Sequence, residues 1–183
     1  MRRTRTACFF ILFCLITILS IEVDGQEGYP VPEKTKNLLF YFQRSHNKNT
    51  VIYEINTLPN GKINPEKPVI FYWIRYEERG IRKELSFIQR KAFGIQWQLV
   101  DKAKDAFILR FNNFKKRNIF LLKAEADNCY KAYINIDGEL SELTRMFIKS
   151  ENNSFGIPLS VKYVELDGIN LKSGKSVVER YKP

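Results

Sequence analysis

The stretch PVIFYWIRY at Pro68–Tyr76 is the most strand-like segment of the sequence. Its β-branched and aromatic side chains favour an extended backbone, and Pro68 is tolerated because it stands at the start of the segment. Residues two apart in a strand point to the same face, so Trp73 and Arg75 lie side by side. The stretch therefore predicts a strand that carries a charged group on an aromatic face.

The segments around this stretch have the same character. IRKELSFIQR at Ile81–Arg90 alternates apolar and polar residues and predicts the next strand, with Glu78-Arg79-Gly80 closing a hairpin between the two. We expect further strands at Leu38–Arg44, Thr50–Thr57, Phe93–Val100, Ala106–Asn112, Asn118–Ala126, Tyr130–Ile136, Leu143–Lys149, Val161–Leu166 and Ser176–Tyr181.

Turn residues separate many of these segments. Asn60-Gly61, Asp137-Gly138 and Asp167-Gly168 tolerate positive φ and are typical of tight connections. Short strands at this spacing predict an all-β fold, an antiparallel β-sandwich or β-barrel with at most one short helix. Ser141–Ser150 suits either that helix or another strand.

The N-terminal segment predicts an export signal. The sequence begins with the basic residues of MRRTR, and Ala7–Ile21 is an uncharged run with the length of a signal peptide's apolar region. Glu22 and Asp24 end the run before it reaches the roughly 20 residues of a membrane-spanning helix. An uncleaved N-terminal anchor is the alternative.

This interpretation sets the domain boundaries. We expect residues 1–25 to be a cleaved signal peptide, residues 26–36 a flexible leader, and residues 37–183 a single β domain. The mature protein would then be periplasmic, displayed on the outer surface or secreted, with no transmembrane segment after signal cleavage.

Charge restricts the expected partners. The chain has 30 Lys and Arg against 20 Asp and Glu, a formal net charge of +10. The signal peptide takes three arginines and two acids with it, so the mature net charge is +9. The basic residues are scattered and an exported protein meets little nucleic acid, so we expect an anionic glycan, lipid or small molecule as partner and no nucleic acid.

Few residues suit catalysis or metal binding. The chain has one His and three Cys, and Cys8 and Cys14 leave with the signal peptide. Cys129 is then a lone thiol that we expect to be buried and inert. His46 lies in the polar loop Ser45–Asn49 without an evident catalytic partner. Calcium loops and phosphate-binding glycine loops are absent from the sequence, which predicts no metal or cofactor and favours a protein that is not an enzyme.

The most informative feature is the set of charged and amide side chains inside aromatic strands. A guanidinium beside an aromatic ring can stack on a planar group and bind an anion with two parallel hydrogen bonds. Arginines that face solvent from a strand are the alternative explanation. The candidate ligand-binding residues are Arg44, Trp73, Arg75, Tyr76, Gln89, Arg90 and Arg110.

Three segments also carry a family resemblance. They are QRSHNKNT, with Gln43, Arg44, Ser45, Asn47, Asn49 and Thr50; YWIRY at Tyr72–Tyr76; and Gln89-Arg90-Lys91 with Gly94. Together they make residues 37–183 resemble the domain-of-unknown-function family numbered 4833, whose members are mostly small exported bacterial proteins. The resemblance implies that the charged strand positions are a family feature, and it implies no activity.

From these observations we expect a non-catalytic binding module for a polar or anionic ligand, namely a glycan, a lipid headgroup or a small molecule. A hydrolase with a loop-borne acid or His site is one alternative. A surface interaction or structural protein is the other.

Overall fold

Strands account for more than half of the residues that the structure describes. The structure is a computed structural model and describes residues 28–103, 105–114, 117–124, 128–152 and 158–183. The predicted signal peptide and the first two leader residues lie outside these ranges. The elements are β1 (Leu38–Arg44), β2 (Asn47–Ile55), β3 (Val69–Arg75), β4 (Ile81–Lys83), α1 (Phe87–Phe93), β5 (Ile95–Asp101), β6 (Ala106–Phe111), β7 (Ile119–Lys123), β8 (Tyr130–Ile136), β9 (Glu139–Asn152), β10 (Pro158–Asn170) and β11 (Ser176–Tyr181).

The sheet divides at its longest strand, β9. Its start, Glu139–Glu142, pairs with β8, whereas Arg145–Ile148 pairs with β1. Its other edge pairs with β10, which in turn pairs with β11. One arm therefore runs through β1, β2, β3 and β4, and the other through β8, β7, β6 and β5.

The ladder between β1 and β9 corrects the expected fold. The prediction of a mainly β fold is confirmed, and the other ladders among the described strands are antiparallel as expected. Tyr41–Arg44 and Arg145–Ile148 instead run parallel, so the sheet is mixed. A parallel partner must come from elsewhere in the chain, because a hairpin can only join antiparallel strands.

Aromatic side chains hold the two arms face to face. Phe40 of β1 stacks on Tyr53 of β2, with their ring centroids 4.5 Å apart. Phe111 of β6 packs its ring 5.6 Å from that of Tyr53 and 6.2 Å from that of Phe40. The Tyr53 hydroxyl donates a 2.8 Å hydrogen bond to the Phe93 carbonyl oxygen, so its burial leaves no donor unsatisfied. These contacts curl the sheet into a half-barrel around the core.

The predicted strand Ile81–Arg90 is wrong beyond Lys83. Ser86 begins α1 as its N-cap: its Oγ accepts a hydrogen bond from the Gln89 N–H at 3.4 Å, and the Gln89 side-chain oxygen accepts one from the Ser86 N–H at 2.9 Å. This reciprocal capping box favours helix over the alternating pattern. Among the described residues, no helix is long and apolar enough to cross a membrane.

The alternative helix at Ser141–Ser150 is not formed, because this segment lies inside β9. Strands on both sides satisfy its backbone. Ser141, Leu143 and Arg145 are buried at a spacing of two residues, the period of a strand. The strand interpretation of this segment is therefore confirmed.

The two Asp-Gly pairs play different roles. Asp137-Gly138 forms the expected two-residue turn between β8 and β9, with φ of 51° and 81°. Asp167-Gly168 was expected to be a turn but lies inside β10. A Cβ on Gly168 would lie 2.5 Å from the Glu142 carbonyl oxygen and 2.6 Å from Ile136 Cδ1. Gly168 is thus needed for close strand packing.

Gly168→Ala is expected to lower the free energy of unfolding by about 1–3 kcal/mol, because the added methyl group overpacks against the backbone of β9. Val178→Ala is the matched control, since Val178 lies on the adjacent strand and its side chain is exposed. Urea denaturation measures both variants. Equal stability of the two variants would contradict this role for Gly168.

Candidate functional site

Arg44 lies where the aromatic core opens at the end of β1. It shares a strand face with Phe42, so its side chain continues the row of core side chains. The guanidinium carbon is 4.7 Å from the Trp73 ring centroid and 4.9 Å from the Phe93 ring centroid. Arg44 therefore stacks on aromatic rings and lies mostly out of water.

Two buried donors at this point have no protein acceptor. Arg44 Nε and Trp73 Nε1 are inaccessible and lack a hydrogen-bond partner among the described residues. Burial lowers the pKa of Arg44 to about 10, and the nearby carboxylate of Glu77 opposes that shift. The Glu77 carboxylate itself accepts hydrogen bonds from Asn49 Nδ2 at 3.2 Å and from the Lys48 N–H at 3.4 Å. Arg44 Nε is thus left with aromatic contacts but no acceptor among the described residues.

These donors border an open cavity of about 520 Å³, which we call the Arg44 cleft. Arg44, Arg75 and Lys83 contribute positive charge to its wall, against the single carboxylate of Glu84. Arg75 forms an ion pair with Glu78, and Glu84 forms one with Arg90. The wall also includes the apolar side chain of Leu85 and four neutral polar residues, namely Asn47, Asn49, Ser86 and Gln89.

Four of the seven predicted ligand-binding residues meet in this cleft: Arg44, Trp73, Arg75 and Gln89. They come together because the turn between β1 and β2, the end of β3 and the start of α1 all lie at the same open end of the half-barrel. The sequence prediction missed Lys83, which follows the alternation of β4 and gave no separate signal.

The remaining three predicted residues lie elsewhere. Arg90 lines a neighbouring cavity, and its guanidinium donates to the Leu85 carbonyl oxygen at 2.9 Å and to Glu84 Oε2 at 2.7 Å. Tyr76 is half-buried in the 3₁₀ turn after β3, and burial raises its pKa. Arg110 lies on β6 and donates from Nε to Asn118 Oδ1 at 2.7 Å.

A second charged group, the Arg145 cluster, consists of Arg145, Gln43, Glu165 and Asp167. Arg145 Nη1 donates to Glu165 Oε1 at 3.0 Å and to Asp167 Oδ2 at 2.6 Å, and Arg145 Nε donates to Gln43 Oε1 at 2.9 Å. The side chains of Arg145 and Glu165 are only 8% and 3% exposed. Burial raises the pKa of Asp167, and the Arg145 hydrogen bond opposes that shift. The cluster ties β1, β9 and β10 together.

The two carboxylates of this cluster also bear on the hydrolase alternative. Glu165 and Asp167 line a cavity of about 350 Å³ beside β11. Both are bound to the same guanidinium nitrogen, and Glu165 also pairs with Arg180. Carboxylates held in this way are neutralised by arginine, which suits a structural ion network better than acid–base catalysis.

His46 lies in the two-residue turn between β1 and β2, so the predicted loop is shorter than expected and Asn47–Asn49 belong to β2. Its imidazole Nδ1 is buried without a hydrogen-bond partner among the described residues. Neither cavity described above includes His46 in its wall. Cys129, expected to be buried, is half-buried.

Comparisons with known proteins identify a family. The model of the family described as Domain of unknown function (DUF4833) matches residues 40–180. No curated protein and no solved structure matches the chain. The match confirms the resemblance inferred from the three sequence segments. Those segments meet at the Arg44 cleft, since Asn47, Trp73 and Gln89 each come from a different one.

Arg145→Met is expected to lower the free energy of unfolding by about 3–5 kcal/mol, because it removes the guanidinium that the buried carboxylates share. Lys172→Ala is the control: Lys172 pairs with Glu139, but the side chain of Lys172 is 81% exposed. We expect that control to cost less than about 1 kcal/mol. Urea denaturation at pH 7 that gave equal losses would rule out a stabilising role for the cluster.

His46 is expected to make the protein less stable in acid. Burial and the charge of Arg44 lower the pKa of His46, with Glu77 acting in the opposite direction. Protonation therefore favours the unfolded state, and the free energy of unfolding should decline as pH falls below about 6.5. His46→Asn should flatten this slope in denaturation measurements between pH 5 and pH 8, because the sequence contains one His. Identical slopes in both proteins would refute the assignment.

Proposed function

The chain belongs to the DUF4833 family, and because that description assigns no activity, we propose from the geometry that it is a non-catalytic binding module for an anionic ligand. The ligand is a glycan, a lipid headgroup or a small molecule, and the protein is exported. The Arg44 cleft is the proposed binding site.

The buried, unpaired Nε of the Arg44 guanidinium carries this proposal. Leaving a charged donor out of water without an acceptor costs more than leaving a neutral one, on the order of 1–3 kcal/mol or above. Stacking on Trp73 and Phe93 offsets part of that cost. An anion in the cleft would supply the missing acceptor and the missing opposite charge.

The chemistry of the donors favours an anion over a cation. Arginine and the indole of tryptophan donate hydrogen bonds and cannot accept them. Arg44 Nε and Trp73 Nε1 therefore both require acceptor atoms. Carboxylate, sulfate and phosphate groups offer several acceptor oxygens in a geometry that fits a guanidinium.

The size of the cleft supports a small ligand or one unit of a larger one. Its volume of about 520 Å³ falls within the range of small-molecule sites. Asn47 and Gln89 add amide groups to the wall, which can hydrogen-bond hydroxyl groups.

Arg44→Met should reduce anion affinity at least about tenfold, because a charged hydrogen-bond partner is lost while the apolar packing is kept. Differential scanning fluorimetry with inorganic phosphate, sulfate, glucuronic acid and glycerol phosphate measures ligand-dependent stabilisation, with neutral glucose as the comparison. Without ligand, the variant should be at least as stable as the wild type, since a buried donor without an acceptor has been removed.

Arg110→Met is the matched control, because Arg110 is also a strand arginine among aromatic residues but lies outside the cleft. It should bind anions as the wild type does. The proposal fails if none of the anions stabilises the wild type, or if the two substitutions weaken binding equally.

A further inference from the structure

A second cavity adjoins the Arg44 cleft. This Trp97 cleft has a volume of about 650 Å³ and is lined by residues of β3, β4, α1 and β5. Lys83 and Glu84 border both clefts, so the two clefts adjoin at the end of β4.

The Trp97 cleft lies in the opening of the half-barrel. β4 pairs only with Trp73–Arg75, so among the described strands nothing covers the outer edge of β3 between Val69 and Tyr72. β5 is the terminal strand of the other arm and pairs only with β6 within the described part of the chain. The cleft therefore lies between two strand edges and is open at the surface, which suits an extended ligand.

Its wall combines aromatic faces with cations. The rings of Phe71, Tyr72 and Trp97 are partly exposed there, next to Lys67, Arg82 and Arg90. The guanidinium carbon of Arg82 lies 3.5 Å from the Tyr72 ring centroid, which fixes that cation over the ring. The Trp97 cleft thus repeats the arrangement of Arg44 on Trp73.

We propose that the two clefts together bind one linear acidic oligosaccharide, whose sugars carry carboxylate or sulfate groups. This inference rests on the proposed function, since the Arg44 cleft holds one anionic group of the chain. The Trp97 cleft then holds the next sugars, with their rings against Trp97 and their charges near Arg82 and Lys67.

The mixture of lining groups selects this class of ligand. An acidic sugar presents three kinds of surface: an anionic group, hydroxyl groups and an apolar ring face of C–H bonds. The two clefts offer a matching group to each, in their cations, in amides such as Gln89 and Asn112, and in their aromatic rings. Inorganic polyphosphate has no apolar face, and an acidic peptide has few hydroxyl groups.

Ligand length gives the decisive test. When one ligand fills two connected sites, the second contact is intramolecular and raises affinity well above that of either site alone. Isothermal titration calorimetry on the purified protein should therefore show a hexasaccharide binding at least about tenfold more tightly than the matching disaccharide. Oligogalacturonates and heparin-derived oligosaccharides distinguish carboxylated from sulfated sugars.

Variants of each cleft separate the two sites. Arg82→Ala and Trp97→Ala should remove the gain from length, so that the hexasaccharide binds each variant no more tightly than the disaccharide does. Arg82 is exposed, so its variant tests the proposal even if Trp97→Ala fails to fold. Arg44→Met should weaken disaccharide and hexasaccharide alike. Lys172→Ala controls for loss of a distant surface charge.

The possible results separate the extended oligosaccharide site from the anion site in the Arg44 cleft. Equal affinity for disaccharide and hexasaccharide would overturn the extended site and leave the Arg44 cleft as an anion site. Phosphate binding without binding of any acidic sugar would overturn it as well. A hexaglutamate peptide that bound as tightly as the hexasaccharide would refute the choice of a saccharide. If no anion bound at all, both proposals would fall.

Discussion

The fold depends on a buried arginine at the point where β9 changes partner. β9 leaves β8 after Glu142 and joins β1 at Arg145, so two arms of the sheet share one edge of a single strand. Arg145 binds Gln43 of β1 on one side and Glu165 and Asp167 of β10 on the other. That network fixes β1 in its parallel register. Because Arg44 follows Gln43 directly, the same contact determines where the proposed binding cleft opens.

Arg44 and Arg145 show that the contacts of an arginine determine whether it serves the fold or a binding site. Arg145 faces two carboxylates and an amide, and its burial is compensated within the protein. Arg44 faces aromatic rings, and its Nε has no acceptor in the described chain. Both are strand residues whose guanidinium lies against a phenylalanine ring. The difference between a structural ion network and a candidate binding site is therefore visible only in three dimensions.

The sequence predicts local structure well wherever one physical signal acts alone. β1, β8 and β11 begin and end as predicted, because no competing signal acted on their aromatic and β-branched residues. In Ile81–Arg90 the alternating pattern continued past Ser86, but a capping box favoured a helix and the strand prediction was wrong. Most of the cleft was foreseeable, since Trp73 and Arg75 share a face by spacing. Arg110 was grouped with them because a sequence does not show which arm a strand joins.

The parallel ladder between β1 and β9 has a consequence for folding. Gln43 and Arg145 are 102 residues apart, so the N-terminal hairpin cannot complete its second edge until most of the chain has been made. Sheets closed by such distant contacts form slowly, and their unpaired edges stay open to wrong partners in the meantime. The N-terminal hairpin thus pairs its second edge with a strand that is synthesised about 100 residues later. During rapid synthesis the edge of β1 would stay unpaired until β9 has been made. A cell would then need to protect that edge, by a chaperone or by delayed folding.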